Sequence, residues 1–271
     1  MFVDTHCHLN IFPPRERGEI LNSNHFSVID VAVAEAQAAG VGKILNVGTN
    51  LIESNESIMI AQRYDHIYAT IGVHPTDCNQ LSENMSVVRT ELKRLLRERE
   101  HNKVVGIGET GLDFYHKPFN QQQQTDYFKM QIDLALEHSL PMVIHVREAG
   151  DETLRVIEEF IPNGLRGVIH CFQQNLDFAQ QVCAWGLMIG IDAPIDYPKN
   201  GALRDVLRQV ELQHMILETD APFLPPQRFR GKQNRPAYIP LIAAELAMLK
   251  GVDVAVIEQQ TTKNAEALFA I

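Results

Sequence analysis

Two histidines in the first short apolar run of the chain are spaced to reach a common ligand. Successive side chains of a β-strand point to opposite faces, so Asp4, His6 and His8 should share one face with Phe2. The opposite face is expected to be mostly apolar and to carry Val3, Thr5, Cys7 and Leu9. Two neutral imidazoles one strand step apart suit a transition metal. A pair of surface histidines near a chain terminus would give the same spacing, so other residues must decide.

Similar ligand-type residues follow other short apolar runs along the chain. At the ends of predicted strands stand His6, His8, His74, Glu109, His145, His170 and Asp220, with Arg147 close behind His145. Five of the 11 histidines occupy these places. Each residue alone has a plainer interpretation, such as a core histidine for His170 or a turn former for Asp220. Together, buried imidazoles and carboxylates around one point would be costly without a compensating cation.

The elements that must position these residues alternate regularly between strand and helix. Predicted strands cover residues 2–9, 43–48, 67–73, 103–108, 141–146, 167–171, 186–191 and 213–218. Such alternation indicates βαβ units and a parallel sheet. Eight units in 271 residues favour a single α/β domain, residues 1–271, folded as a closed (β/α)8 TIM-like barrel. The alternative is a doubly wound open sheet, although the chain has no G-x-G-x-x-G motif and no P-loop.

Helices and loops are also predicted from the pattern. Helical periodicity covers residues 30–39, 82–99, 120–138 and 254–269, and the first of these ends at Gly40. The segment Asn10–Asn24 is expected to be a loop after the first strand. The Pro-, Arg- and Gln-rich stretch Pro222–Pro236 is expected to form an active-site loop after the eighth strand.

Composition limits the partners that this chain can have. It is 45% hydrophobic and 21% charged, which is typical of a globular protein with a sizeable core. The formal net charge of −10 argues against a protein that grips long duplex DNA through many phosphates. No apolar run reaches the length of a membrane span, and no signal peptide is recognisable. The four scattered cysteines indicate reduced thiols, so we expect a cytoplasmic protein without a membrane partner.

In a barrel enzyme the carboxyl ends of the strands surround one mouth, where the active site lies. Four histidines and two carboxylates at that mouth exceed the demand of one tetrahedral zinc ion. They suffice for two divalent cations bridged by a carboxylate, an arrangement with roughly 3.5–4 Å between the ions. Such cations lower the pKa of water to roughly 7, and a nearby carboxylate accepts its proton. The predicted chemistry is therefore hydrolysis at a carbonyl or phosphoryl centre.

The motifs that carry these residues occur in a recognisable order. They are Val3–Leu9 (VDTHCHL), Gly72–Pro75 (GVHP), Gly108–Asp113 (GETGLD), Ile144–Ala149 (IHVREA), His170–Phe172 (HCF) and Glu218–Pro222 (ETDAP), followed by Asn234–Pro236 (NRP) and Asn264. This set resembles the TatD family of metal-dependent, deoxyribonuclease-like hydrolases in the amidohydrolase superfamily. The resemblance covers essentially the whole chain and implies a distorted barrel of amidohydrolase type with a two-metal site.

The resemblance also implies a role for each site residue. His6 and His8 would bind the first metal, and Glu109 would bridge both. His145 and His170 would bind the second metal, while Asp220 would bind the first and accept the proton from the nucleophilic water. His74 and Arg147 would be substrate-side groups. Asp113 would orient one of the metal-ligating residues. The cofactors implied are two divalent ions per chain, with Zn, Mn, Mg, Fe and Ni all left open.

Three functional hypotheses follow from this reading. The first is a phosphodiester hydrolase acting on short or single-stranded DNA near a 3′ end, with no obligate protein partner. The second keeps the metals but changes the bond to another ester or an amide, such as an aminoacyl-tRNA linkage or a small lactone. The third is a catalytically idle, metal-dependent scaffold. Val146 and the long segment Asn10–Asn24 depart from the family pattern and bear on substrate preference.

Overall fold

Eight parallel strands form one sheet in the computed structural model, which describes residues 1–16, 19–78 and 84–271. Neighbouring strands pair in chain order from the first to the eighth. They are β1 (Phe2–Cys7), β2 (Val41–Val47), β3 (Ile67–Ile71), β4 (Val104–Asp113), β5 (Met142–Arg147), β6 (Gly167–Ile169), β7 (Met188–Ile191) and β8 (Met215–Leu217).

The sheet closes on itself between its first and last strands. Cys7 forms a parallel bridge with Ala221, and the backbone N–H of His8 donates to the Ala221 carbonyl at 2.7 Å. The N–H of Asp220 donates to the carbonyl of His6 at 2.9 Å. The barrel prediction is thereby confirmed and the open-sheet alternative is wrong.

Helices lie in the connections between the strands and after the last one. They are α1 (Phe26–Ala38), α2 (Leu51–Arg63), α3 (Pro75–Cys78), α4 (Met85–Arg97), α5 (Gln121–His138), α6 (Gly150–Phe160), α7 (Leu176–Ala184), α8 (Gly201–Gln209), α9 (Ile239–Lys250) and α10 (Val254–Phe269). Asn50, Asn120 and Asn175 begin α2, α5 and α7 with side-chain oxygens that accept a backbone N–H of the first turn. No helix within the described ranges is long and apolar enough to cross a membrane.

Most sequence-predicted boundaries agree with the structure to within a few residues. Of the predicted helix 82–99, residues 82 and 83 lie outside the described part, and α4 begins at Met85. The predicted loop Asn10–Asn24 contains a short 3-10 turn at Leu9–Ile11, and its residues 17 and 18 are likewise not described. The stretch Pro222–Pro236 follows β8 as a loop, as predicted, with one 3-10 turn at Gln227–Phe229.

Two hydrophobic clusters hold the barrel together. The larger one joins the sheet to the helices around it. In the smaller one, Ala265, Leu268 and Phe269 of α10 pack against residues from five strands, which are Val3, Leu45, Val143, Val168 and Ile216. Asn264 fixes α10 there, because its side-chain amide donates to the carbonyls of Leu212 and Met215 at 2.8 Å each. One end of the barrel is therefore filled with apolar side chains.

Two strands depart from the regular alternation that the sequence suggested. In β1 the register shifts between Asp4 and Cys7, and Val3 packs in the small cluster whereas Cys7 and Leu9 pack in the large one. In β4 the register shifts between Ile107 and Thr110, and the peptide Gly108–Glu109 is cis. Glu109 therefore lies inside β4, which continues to Asp113, and the prediction that the strand ends at Glu109 is wrong.

Candidate active site

His6 of β1 and His8, which follows that strand, converge as the sequence predicted. His6 and His8 are buried, and their Nε2 atoms lie 3.1 Å apart. The Nδ1 of His8 lies 3.0 Å from the carbonyl oxygen of Val47. A carbonyl only accepts, so Nδ1 carries a proton and Nε2 is the atom that His8 directs toward the site. The Oδ1 atom of Asp220 lies 3.6 Å from His6 Nε2 and 3.5 Å from His8 Nε2.

Glu109 lies between this pair and a second group of imidazoles. Its Oε2 atom is 3.4 Å from His6 Nε2 and 3.7 Å from His8 Nε2. Its Oε1 atom lies on the other side, 2.9 Å from His170 Nε2 and 3.0 Å from His145 Nδ1. One carboxylate thus presents each of its oxygens to a different pair of histidines, which is the geometry expected of a bridging ligand.

His145 is oriented from behind by a second carboxylate. Its Nε2 donates to Asp113 Oδ2 at 3.1 Å, so Nδ1 is the atom that faces Glu109 and, at 3.3 Å, His170 Nε2. Burial would raise the pKa of Asp113, but hydrogen bonds from His145 and His116 hold it well below its ordinary value. The ionised Asp113 therefore fixes the ring of His145, as a carboxylate behind a ligating histidine does.

His74 differs from the other site histidines in the atom that it offers. The backbone N–H of Thr76 donates to its Nδ1 at 3.2 Å. Burial lowers the pKa of His74, so the ring is neutral and its proton is on Nε2. That Nε2 lies 3.3 Å from Glu109 Oε1. In this tautomer His74 donates a hydrogen bond into the site and has no lone pair to give a metal.

The carboxylates of the site are ionised although they are buried. Burial would raise the pKa of Glu109, but facing His170 and His74 hold it well below its ordinary value. Burial likewise opposes ionisation of Asp220, and a hydrogen bond from His8 outweighs it and lowers the pKa. In the protein alone these anions raise the pKa values of His8, His145 and His170 despite burial. The site therefore favours positive charge at its centre.

This donor set fits divalent cations. Three sets of side chains each bring their ligand atoms within 4.8 Å of one another in the described residues. The sets are His6–Glu109–His170, His6–His8–Asp220 and His74–Glu109–His145, and in the last one His74 donates from Nε2 to Glu109 and offers no lone pair. Imidazole nitrogens and carboxylate oxygens that converge in this way suit borderline transition metals. A cation would also supply the positive charge that the carboxylates favour.

Glu218 supports His170 from behind and had no role in the sequence prediction. Its carboxylate is fully buried, and Oε1 lies 3.5 Å from His170 Nδ1 and accepts the Cys171 N–H at 2.5 Å. Space for it comes from Gly190, where a Cβ atom would lie 2.4 Å from Glu218 Oε2. The motif that contains Asp220 was a signal for Glu218, but its contact with Gly190 depends on how β7 and β8 lie side by side, which the sequence does not reveal.

Asp4, which was predicted to share a strand face with His6 and His8, makes hydrogen bonds to Thr219. Its Oδ1 accepts the backbone N–H of Thr219 at 3.0 Å, and its Oδ2 accepts the Thr219 hydroxyl at 2.7 Å. Burial raises the pKa of Asp4 to about 8, although the hydrogen bonds from Thr219 oppose the shift. Asp4 thus connects β1 to the turn that presents Asp220.

Of the sequence-predicted site residues, Arg147 alone lies apart from the cluster. Its side chain is exposed, and its guanidinium carbon stacks 4.3 Å from the ring centroid of Tyr115. No ion pair joins Arg147 to a carboxylate in the described residues, and Glu152 is paired with Arg155 instead. Arg147 thus lies at the end of β5 with its charge open to solvent.

Comparison with known proteins places the chain in a class. The family model described as "TatD related DNase" matches residues 3–270. An uncharacterised metal-dependent hydrolase of Bacillus subtilis, YabD, is 30% identical over the full length of both chains. The 3′-5′ ssDNA/RNA exonuclease TatD of Klebsiella pneumoniae is 36% identical, with 94% of this chain and 97% of that protein covered.

A solved structure gives the same result for the fold. The TatD homologue YjjV of Escherichia coli K12 superposes with a TM-score of 0.88 at 29% identity, covering 100% of this chain and 98% of that one. Sequence and fold therefore agree over the whole length. This chain belongs to the TatD family of metal-dependent hydrolases.

Proposed function

We propose that this protein is a two-cation phosphodiesterase that removes nucleotides from the 3′ end of single-stranded DNA. The observation that carries the proposal is the position of Glu109, whose two oxygens face two separate pairs of histidines. A bridging carboxylate of this kind is a feature of two-metal hydrolytic sites. The name of the Klebsiella relative, an exonuclease on ssDNA and RNA, supports the substrate class.

The residues divide into two proposed cation sites. His6, His8 and Asp220 would hold the first cation together with Oε2 of Glu109. His145 and His170 would hold the second with Oε1. When bound, such cations polarise a phosphoryl oxygen and lower the pKa of water. Zn, Mn, Mg, Fe and Ni all remain candidates, and imidazole ligands favour the transition metals over Mg.

The chain's own groups would complete the reaction. Asp220 is proposed to accept the proton of the attacking water, because its side chain is 13% exposed while those of Glu109 and His6 are 5% and 0% exposed. His74 would donate from Nε2 to a phosphate oxygen. Arg147, with no carboxylate partner in the described chain, would bind a neighbouring phosphate, since the guanidinium fork matches phosphate oxygens.

The overall charge favours an end over a long duplex as the substrate. A net charge of −10 opposes contact with many phosphates, whereas a cation-loaded mouth can attract a few. We further propose that residues 1–271 act as one unit in the cytoplasm, where the four free cysteines would stay reduced.

The test is a cleavage assay with purified protein, Mg²⁺ or Mn²⁺ and a single-stranded oligonucleotide labelled at its 5′ end. Stepwise shortening of the labelled strand is expected, and the same strand in a blunt duplex should react much more slowly. Elemental analysis after reconstitution should find close to two ions per chain. Inert DNA together with turnover of a lactone or an aminoacyl-tRNA would replace this proposal with hydrolysis of another ester. Absence of turnover on every substrate would indicate a scaffold.

A further inference from the structure

Two exposed aromatic side chains lie on the same end of the barrel as the candidate site. Among the exposed large hydrophobic side chains of the described residues, Tyr115 and Phe223 are the two aromatic ones, at 50% and 48% exposure. Tyr115 lies two residues beyond Asp113, and Phe223 three residues beyond Asp220. Loops after parallel strands open on the carboxyl-terminal face of a barrel. Both rings are therefore presented to solvent beside the mouth.

Phe223 lies beside the half of the site built from β1 and β8. Its ring contacts the imidazole of His8, with centroids 5.9 Å apart and ring planes at 65°. A turn holds it there, because the N–H of Phe223 donates to the carbonyl of Asp220 at 2.8 Å. The side-chain amide of Asn234 donates to the carbonyls of Thr219 and Leu224, at 2.7 and 3.2 Å, and ties down both sides of the turn. An exposed phenyl ring is thus held in a defined place next to a proposed cation ligand.

Tyr115 lies beside the other half, which is built from β4 and β5. Its N–H donates to Asp113 Oδ1 at 3.0 Å, and Asp113 in turn holds His145. The guanidinium of Arg147 stacks on the Tyr115 ring. An Arg on an aromatic face keeps its N–H groups directed outward, where they can bind phosphate.

We propose that Phe223 and the Tyr115–Arg147 pair form two stacking platforms for nucleobases of an unpaired strand, one on each side of the site. Arg147 would bind a phosphate of the strand that they hold. This inference rests on the proposed nuclease function and specifies how that function selects its substrate. Aromatic and guanidinium faces stack on any base, so the selection is for unpaired bases and tolerates any sequence. A base-paired strand has its faces covered by its neighbours and cannot use the platforms.

The platforms also account for how an acidic protein would hold nucleic acid. Stacking contributes affinity without many phosphate contacts, and a net charge of −10 opposes such contacts. We therefore expect binding that depends on the bases near the strand end and responds weakly to salt.

The experiment compares a single-stranded oligonucleotide with versions that carry an abasic sugar at the last or the penultimate position. Cleavage by the metal-loaded protein gives KM and kcat, and fluorescence anisotropy in EDTA gives affinity without turnover. For Phe223→Ala and Tyr115→Ala, KM should rise about 5-fold to 100-fold while kcat changes less. Phe223→Leu should behave like Phe223→Ala, because leucine keeps apolar area but has no aromatic face. The matched control is Met248→Ala, which removes an exposed apolar side chain from helix α9.

The wild type should also prefer the intact strand to the abasic ones, and each Ala variant should lose that preference at one position. If the wild type degrades DNA but has the same KM and affinity for intact and abasic strands, the proposal of stacking platforms is wrong. The nuclease proposal would then still hold. An Ala variant with the KM and affinity of Met248→Ala would remove that residue from the proposal. A wild type that cleaves no nucleic acid would overturn both proposals. Thermal melting of each variant establishes that these surface changes leave the fold intact.

Discussion

The two ends of this barrel are built from opposite chemistry. At the end where the strands begin, Leu268 and Phe269 of α10 fill the interior beside Val3 and other apolar side chains. At the end where the strands finish, buried imidazoles surround the carboxylate of Glu109. Apolar burial stabilises a fold by roughly 25 cal/mol per Å². Burying charged groups costs free energy until opposite charge is supplied. The comparison teaches that the closed end holds the fold together, whereas the mouth gathers the groups that we propose for the chemistry.

The largest expected effect belongs to the mouth and separates chemistry from stability. Asp220→Asn keeps the size of the side chain but removes the group proposed to accept a proton, so turnover should fall about 10²- to 10⁴-fold. Bound metal should fall only modestly, because the other ligands remain. Steady-state cleavage and elemental analysis measure the two quantities. Unchanged turnover would exclude Asp220 as the proton acceptor.

The next largest effect belongs to the closed end, where we expect a loss of stability without a loss of turnover. Phe269→Ala removes a ring that is 3% exposed, and the resulting cavity should lower the free energy of unfolding by about 3–5 kcal/mol. Turnover per folded molecule should be unchanged, because the ring lies far from the mouth. Urea unfolding and cleavage at low temperature measure these, with Lys263→Ala on the exposed side of α10 as control. A loss of turnover without a loss of stability would contradict the division between the two ends.

Gly190→Ala tests whether the close packing of Glu218 on Gly190 is needed to hold His170 at the mouth. The new Cβ atom would lie 2.4 Å from Glu218 Oε2, so Glu218 must move away from His170. The free energy of unfolding should fall by about 1–3 kcal/mol, and affinity for the cation proposed to bind His170 should fall by about 10- to 100-fold. Gly201→Ala is the control, since a Cβ atom there meets nothing within 4 Å. Equal metal affinity in the two variants, from titration calorimetry, would show that Glu218 does not support a cation site.

The smallest effect sharpens the description of the closed end. Lys43 Nζ and Glu266 Oε1 form an ion pair of 2.6 Å between β2 and α10, but the two side chains are 29% and 43% exposed. Lys43→Ala should therefore lower the free energy of unfolding by only about 0.2–1 kcal/mol. The measurement is urea unfolding at low and high salt, beside Glu266→Gln. A loss as large as that of Phe269→Ala would mean that charge, and not apolar packing, holds α10 in place.

The sequence was sufficient for the strand order and for the residues that meet at the mouth. That success has a physical reason: carboxyl ends of parallel strands must meet in a barrel, so His6, His170 and Asp220 could be placed without knowing any loop. The failures arose where a strand is irregular. The register shift in β1 separates Val3 from Cys7 in the packing, and the one in β4 accompanies the position of Glu109 inside its strand.

Other features could not be predicted because they depend on contacts between distant segments. The role of Asp4 comes from Thr219, 215 residues away. The proton position on His74 is set by a local turn that periodicity does not reveal. The stacking of Arg147 on Tyr115 follows from the pairing of β4 with β5, which places Asp113 opposite Arg147.

The closure of the barrel between Cys7 and Ala221 has a consequence for synthesis of the chain. The ribosome adds His6 long before Asp220, because the whole of β2 to β8 lies between them in the sequence. Until then the outer edge of β1 has no β8 strand to close against, and His6 and His8 face no aspartate. A nascent chain therefore cannot assemble the proposed first cation site before β8 and the turn after it have been made, which would keep an incomplete hydrolase inactive.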